Sequence, residues 1–148
     1  MVYSFLYENG VNLRGGFILS IESTVFYFEN GIPGFEHLHQ FAFTEVDGEL
    51  PMKLMKSVED EEISLLIVNP FSIYPEYEWD LPDSSKQELF IQSELDIEIW
   101  SIITVNSEPL NSTINLMAPL VLNINKKIGK QLILHDNTYS SRAPLIRA

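Results

Sequence analysis

Residues 63–82 read ISLLIVNPFSIYPEYEWDLP, and this stretch decides how the rest of the chain is read. Ile63 to Val68 is a pure core run, the pattern of a strand buried on both faces. Asn69-Pro70 breaks it, because proline cannot donate to a ladder. The segment then resumes as aromatics alternating with carboxylates. Period-2 alternation predicts an edge strand from Tyr74 to Leu81, with Tyr77, Trp79 and Leu81 on one face and Glu76, Glu78 and Asp80 on the other. Two readings of that edge stand side by side. In one the rings are simply buried and the acids solvated. In the other the acid row meets a basic partner.

Outward from this stretch the chain reads as short β-rich runs. Phe17–Ile21 and Val25–Phe28 predict a hairpin turning at Glu22-Ser23-Thr24. Gly31-Ile32-Pro33-Gly34 demands a tight turn with a residue at positive φ. Gln40–Val46 alternates as a strand and ends at an Asp47-Gly48 turn, and Met52–Val58 is a weaker strand before the charged loop Glu59–Glu62. After Pro82, Ser85 with Glu88 three residues on has capping-box form and predicts a short helix. Asp96–Val105 predicts a long strand and Glu108–Asn111 a turn. Thr113–Leu116, Leu120–Ile124 and Gln131–Leu134 predict further strands, with Ile128-Gly129-Lys130 as the turn between the last two. The expected fold is therefore all-β: a compact, single-domain, barrel-like unit of eight to ten short strands with one or two short helices. Residues 1–16, broken by Asn9-Gly10 and Gly15-Gly16, read as an N-terminal extension, native or added. Residues 17–138 read as the β domain and 139–148 as a polar, proline-containing C-terminal tail.

The chain has no cysteine, which excludes disulfides, thiolate metal sites and cysteine nucleophiles. No run reaches the roughly 18 apolar residues of a membrane span, and the start lacks the pattern of a secretory signal, so a cytoplasmic location is expected. The formal charge is −12, from 21 acidic and 9 basic residues. Such a chain repels nucleic acid and attracts basic proteins. The charge is also uneven. Glu59 to Glu98 holds twelve acids and one base, Lys86, whereas Pro109 onward holds one acid, Asp136, and five bases.

Catalytic patterns are weak. His37 and His39 would share a strand face and could join His135 around a metal, but no third ligand has diagnostic spacing, and all three read as ordinary surface or turn histidines. Glu59–Glu62 lacks the glycine-containing pattern of a calcium loop. Glu94, Asp96 and Glu98 alternate along one expected strand face, as an acid–base pair would, though a strand facing water or cations explains the same spacing. There is no glycine-rich phosphate loop and no serine elbow. No cofactor and no enzymatic activity are expected.

Several signatures together resemble one family. They are Phe28-Glu29-Asn30-Gly31-Ile32-Pro33-Gly34-Phe35-Glu36, then Val68-Asn69-Pro70-Phe71 leading to Tyr74-Pro75-Glu76-Tyr77, then NSEPL at 106–110, TINLMAPLVLN at 113–123 and Gly129-Lys130-Gln131. In this order they resemble the FliW family of bacterial flagellar assembly factors, over about Gly16 to Tyr139. The resemblance implies a small cytoplasmic β protein that is not an enzyme. It implies binding to CsrA, an RNA-binding translational repressor, which relieves repression of flagellin synthesis, and binding to flagellin itself, which links synthesis to secretion and assembly. CsrA must be basic to hold RNA, which suits an acidic chain. The expected CsrA contact is Glu76, Glu78, Asp80 and Asp83, joined by Glu94, Asp96 and Glu98. For flagellin the candidate residues are Asn115, Met117 and Pro119. A small-molecule-binding β-barrel and a carboxylate-dependent hydrolase are the alternatives. The first requires an open apolar interior, the second two carboxyls of raised pKa in one cleft.

Overall fold

A computed structural model describes residues 23–46, 51–135 and 138–147. Among these residues nine strands and one short α-helix follow one another. β1 is Ser23–Tyr27, β2 Gln40–Glu45, β3 Met52–Ser57 and β4 Ser64–Val68, after which α1 covers Asp83–Glu88. β5 is Ile97–Thr104, β6 Thr113–Ile114, β7 Leu120–Asn123, β8 Ile128–Gln131 and β9 Ala143–Pro144. The strands pair in the order β4-β3-β2-β1-β8-β7-β5, and β4 pairs β5 again, so seven strands close into a barrel. β6 and β9 extend from β5 at one end. All pairings are antiparallel except β1 with β8, which meet in parallel at the single register pair Tyr27 and Ile128. The expected all-β, barrel-like fold is the observed one.

The interior is made by alternation. On β2, Phe41 and Phe43 are buried while Gln40 and Glu45 are exposed. They meet Phe26, Phe28, Met55, Ile67, Trp100, Leu120 and Leu122 in one cluster that fills the barrel. Phe28 packs edge-on against Phe41, with centroids 5.6 Å apart. A barrel of this size holds side chains rather than a lumen, and this cluster fills its interior. β7 is buried on both faces: Leu120 and Leu122 enter the barrel, and Val121 meets Leu89 and Leu132 on the outside. The core run of residues 63–68 supplies β4 from Ser64 onward, paired on both sides, with Ile67 and Val68 buried but Leu65 and Leu66 half-buried and Ser64 exposed.

The glycine turn is as expected. Gly31 and Gly34 have φ of 62° and 92°, and Ile32 and Leu38, beside them, are plugged into the core at 2% and 3% exposure. Other expectations are corrected. Ser23 and Thr24 lie in β1 and not in a turn, because the start of β1 is exposed on both faces and polar residues there imitate one; Phe17–Ile21, Asp47-Gly48 and residues 1–16 lie outside the described residues. Ser85 does not cap a helix. It is buried inside α1, whose N-cap is Pro82. The capping box is formed instead by Ser93 and Asp96, around a short 3-10 helix over Glu94–Asp96.

Ile128-Gly129-Lys130 is strand β8 and not a turn, and the turn sits before it, ending at Lys127 with φ 59°. Gly129 is small for packing: a Cβ there would stand 2.6 Å from Leu122 Cδ2 and 2.7 Å from Phe28 Cζ. The expected strand Gln131–Leu134 reduces to Gln131, the end of β8. The expected edge strand Tyr74–Leu81 is irregular backbone with no register partner among the described residues. Its alternating burial survives without a ladder because Tyr77 is held by its own bonds, described below. Residues 139–148, expected as a tail, supply β9, with Ala143 buried beneath Val68, Ile103 and Ile114.

Candidate partner-binding surface

Tyr77 anchors the irregular segment. It is 3% exposed, and its hydroxyl donates to the Leu116 carbonyl at 2.6 Å. Its ring meets Tyr139 edge-on at 4.7 Å between centroids. The Tyr139 hydroxyl accepts from Glu78 N–H at 3.0 Å and donates to the Glu78 carbonyl at 2.9 Å. This fastens the backbone of the acid row from both sides. Nearby, Tyr74 donates to the Pro144 carbonyl at 2.7 Å, and the Arg147 guanidinium lies 4.2 Å from its ring centroid. With Tyr77 inward, Glu78 and Asp80 are turned outward and exposed.

The seven acids expected to form one row separate into groups. Glu78, Asp80 and Glu94 line one groove of about 490 Å³, together with Lys86 and the apolar Trp79, Leu81, Ile97 and Ile99. Glu94 reaches it because the 3-10 helix replaces the strand expected there. Asp83 sits in the first turn of α1, 3.7 Å from Lys86. Glu76 instead pairs with Arg147 at 3.1 Å, and hydrogen bonding by its own backbone N–H, then by Arg147, holds its carboxyl below the ordinary value. Asp96 accepts from Gln92 and Ser93 N–H at 3.1 Å each and from Asn125 Nδ2 at 2.6 Å. Glu98 accepts from Trp100 Nε1 at 2.8 Å. Asp96 and Glu98 are thus occupied within the fold, and the alternation of Glu94, Asp96 and Glu98 along one strand face does not occur.

Of the residues expected to meet flagellin, Asn115 accepts from Met117 and Ala118 N–H at 3.0 Å each and so shapes its own loop. Pro119 is buried, and its carbonyl accepts from Leu132 N–H at 2.8 Å. Met117 is half-buried.

His37 and His39 lie in the loop before β2 and not on a strand face. His39 stacks on Tyr27 at 5.9 Å. Glu59 is more than part of a solvated loop: its carboxylate accepts from His39 and Gln40 N–H at 2.6 and 2.9 Å, which ties the β3–β4 connection to the start of β2. Among the described residues no group of three or more His, Asp or Glu could hold a metal ion. Backbone N–H donors hold the carboxyls of Glu36 and Glu59 below their ordinary value. No helix of the described residues is long and apolar enough to cross a membrane.

Comparison with known proteins settles the family. The family model described as "FliW protein" matches residues 13–145. The chain belongs to the FliW family. A flagellar assembly factor FliW of Caldicellulosiruptor saccharolyticus is 39% identical over 121 residues, covering 82% of this chain and 79% of that protein. One from Thermosipho africanus is 38% identical over 135 residues, covering 90% and 93%. A crystal structure of the flagellar assembly factor FliW superposes with a TM-score of 0.79 at 35% identity, over 84% of this chain and 86% of that one. The FliW match runs through β9, so the last strand belongs to the family's extent.

Two features had little sequence signal. Arg147 reaches Glu76 across 71 positions, a pairing that spacing cannot show. Phe90 follows α1 with φ 54° and 63% exposure, and nothing in the sequence marks a phenylalanine as left-handed.

Proposed function

We propose that this chain is a cytoplasmic flagellar assembly factor that binds CsrA through the groove of Glu78, Asp80 and Glu94, thereby relieving repression of flagellin synthesis, and that it also binds flagellin. The observation that supports this reading most is that three exposed carboxylates line one partly apolar groove, in a FliW-family chain of charge −12. A basic partner is drawn to such a surface, and its apolar side chains find a wall to bury against. Asp83 adds to the field from α1, whereas Glu76, Asp96 and Glu98 act within the fold. Negative potential beside a bound repressor weakens its hold on phosphates without occupying the RNA site.

Replacing Glu78, Asp80 and Glu94 together by Lys is expected to weaken CsrA binding by roughly 100-fold at low salt and to flatten the remaining salt dependence. Isothermal titration with purified CsrA measures both, and circular dichroism verifies the fold. An unchanged dissociation constant in the folded triple variant rules this groove out. For flagellin the accessible candidate is Met117, on the loop that Asn115 and Pro119 shape; methionine adapts to apolar helix faces. Met117→Glu is expected to weaken flagellin binding about tenfold and leave CsrA binding intact, since an inserted charge must be desolvated at an apolar contact. Equal affinity for flagellin would place its contact elsewhere.

A further inference from the structure

A second recess lies on the barrel wall, apart from the acidic groove. β1 and β8 touch at Tyr27 and Ile128 only. Beyond that point β1 leaves for the glycine turn, and Phe28 N–H bonds the His39 carbonyl on the β2 side. β8 runs on alone. The space between them is a cleft of about 410 Å³, walled by Tyr27, Glu29, Glu36, Leu89, Phe90 and the β8 backbone from Ile128 to Gln131.

The register fixes which backbone groups of β8 face this cleft. Leu132 N–H bonds the Pro119 carbonyl toward β7, and Lys130 is opposite Val121. In an antiparallel ladder the bonding residues alternate, so Lys130 turns its N–H and C=O toward β7. Gly129 and Gln131 turn theirs the other way. Gly129 lies beside Tyr27 at the mouth, and past it no β1 residue pairs with β8. Tyr27 N–H bonds the Lys127 carbonyl at 2.9 Å, so the parallel bridge commits Gly129 N–H to the Tyr27 carbonyl, and the edge without a partner strand among the described residues runs from the Gly129 carbonyl to Gln131, about 7 Å at the usual rise.

We propose that this cleft binds an extended peptide segment of a basic partner by strand addition to β8. Three observations specify the occupant. The open edge supplies main-chain bonds that only an extended backbone matches. Tyr27, Leu89 and Phe90 form apolar walls for alternate side chains. Glu29 and Glu36 line the cleft, Glu36 accepting from Gly34 N–H at 3.2 Å, while Glu88 is paired with Lys130, so the net charge of the lining is negative and favours Lys or Arg on the incoming segment. The occupant is thus an alternating basic–apolar strand. Phe90 is the wall built at a cost to the fold. It occupies the left-handed position after α1 where glycine is ordinarily found, it is held there by bonds from Asn123 Nδ2 to the Leu89 and Phe90 carbonyls at 2.7 and 3.3 Å, and its ring remains 63% exposed.

The test uses the full chain, ¹⁵N-labelled, and three blocked peptides: Lys-Val-Lys-Val-Lys, Glu-Val-Glu-Val-Glu, and Lys-Val-Pro-Val-Lys, whose proline removes a donor. The basic peptide is expected to move the Gly129 and Gln131 amide resonances and to slow the hydrogen exchange of Gln131, whose N–H faces the cleft. The acidic and proline peptides should bind at least tenfold more weakly. Phe90→Gly relieves the backbone and should keep or raise the urea midpoint while losing at least tenfold in affinity for the basic peptide. Amide shifts confined to Glu78–Asp80 and Glu94, absence of shifts at Gly129 and Gln131, or unchanged affinity in Phe90→Gly would each overturn the proposal. Because the acidic-groove variants leave this cleft intact, a failure here is separable from a failure of the CsrA reading.

Discussion

Gly31→Ala is expected to lower unfolding stability by roughly 2–4 kcal/mol, a large part of the 5–15 kcal/mol typical of a domain. Two terms add. The φ of 62° is left-handed, a conformation in which alanine costs about 1 kcal/mol more than glycine. A Cβ at this position would also lie 2.5 Å from the Phe35 carbonyl oxygen and 2.8 Å from Glu36 Cα. Those atoms are backbone, fixed by Phe35 N–H to Ile32 O at 2.8 Å and Leu38 N–H to Phe35 O at 3.0 Å. They can move only by dragging Ile32 and Leu38 out of the core. Gly34 supplies the control: its φ is 92°, but a Cβ would meet nothing within 4 Å, so Gly34→Ala should lose only about 1 kcal/mol. Gly31→Asn separates the terms, because asparagine tolerates the left-handed region yet carries the same Cβ. It should remain well below wild type. Urea midpoints of the three variants decide the matter, and equal losses at Gly31 and Gly34 would show that the close approach carries no weight.

That turn was legible because two glycines and a proline in four positions have few other uses. The strands of the barrel were legible for a similar reason: Phe41 and Phe43 alternate with period two, and Leu65 to Val68 is a short apolar run, β-branched at Ile67 and Val68, closed by Asn69-Pro70. Legibility ended where one residue type serves two physical ends. Gly129 reads as a turn residue, but it is glycine because Phe28 and Leu122 leave no room for a Cβ. Glu78, Trp79 and Asp80 read as a strand because burial alternates, yet the alternation comes from Tyr77 being pinned by Leu116 and Tyr139, 39 and 62 positions away. The acidic character of the candidate surface was legible, and so were three of its carboxylates. Which of the seven remain uncommitted was not, since the partners that occupy Glu76, Asp96 and Glu98 are set by tertiary contact. Arg147 in particular lies in residues that read as a tail.

Asn123 carries the second large effect, and Asn123→Leu is expected to destabilise by roughly 3–5 kcal/mol, at one to a few kcal/mol for each buried polar group left unpaired. The residue is 1% exposed and ends β7 at the point where α1 and the β7–β8 turn meet. Its Nδ2 donates to the Leu89 and Phe90 carbonyls, and its Oδ1 accepts from Asn125 and Lys126 N–H at 3.0 Å each. Leucine has the same branched arrangement of heavy atoms but larger terminal groups, so lost hydrogen bonds and overpacking both contribute to the loss. Asn123→Asp divides the two halves. It keeps the acceptor for the turn but sets a carboxylate against two carbonyl oxygens, which disfavours the charged form and raises its pKa. A group whose folded pKa is raised is better tolerated protonated, so this variant should recover stability as pH falls, with Asn123→Leu as the pH reference. The loss should be local first: amides of Leu89 to Ile91 should exchange faster in both variants than the β2–β3 amides do, because the helix end is released before the barrel opens. With it goes the constraint that holds Phe90 left-handed over the β8 edge, so Asn123→Leu should lose the basic peptide even under conditions where it remains folded. A variant within about 1 kcal/mol of wild type would mean that water replaces the amide at this junction, and that the geometry of Phe90 is set by the helix end alone.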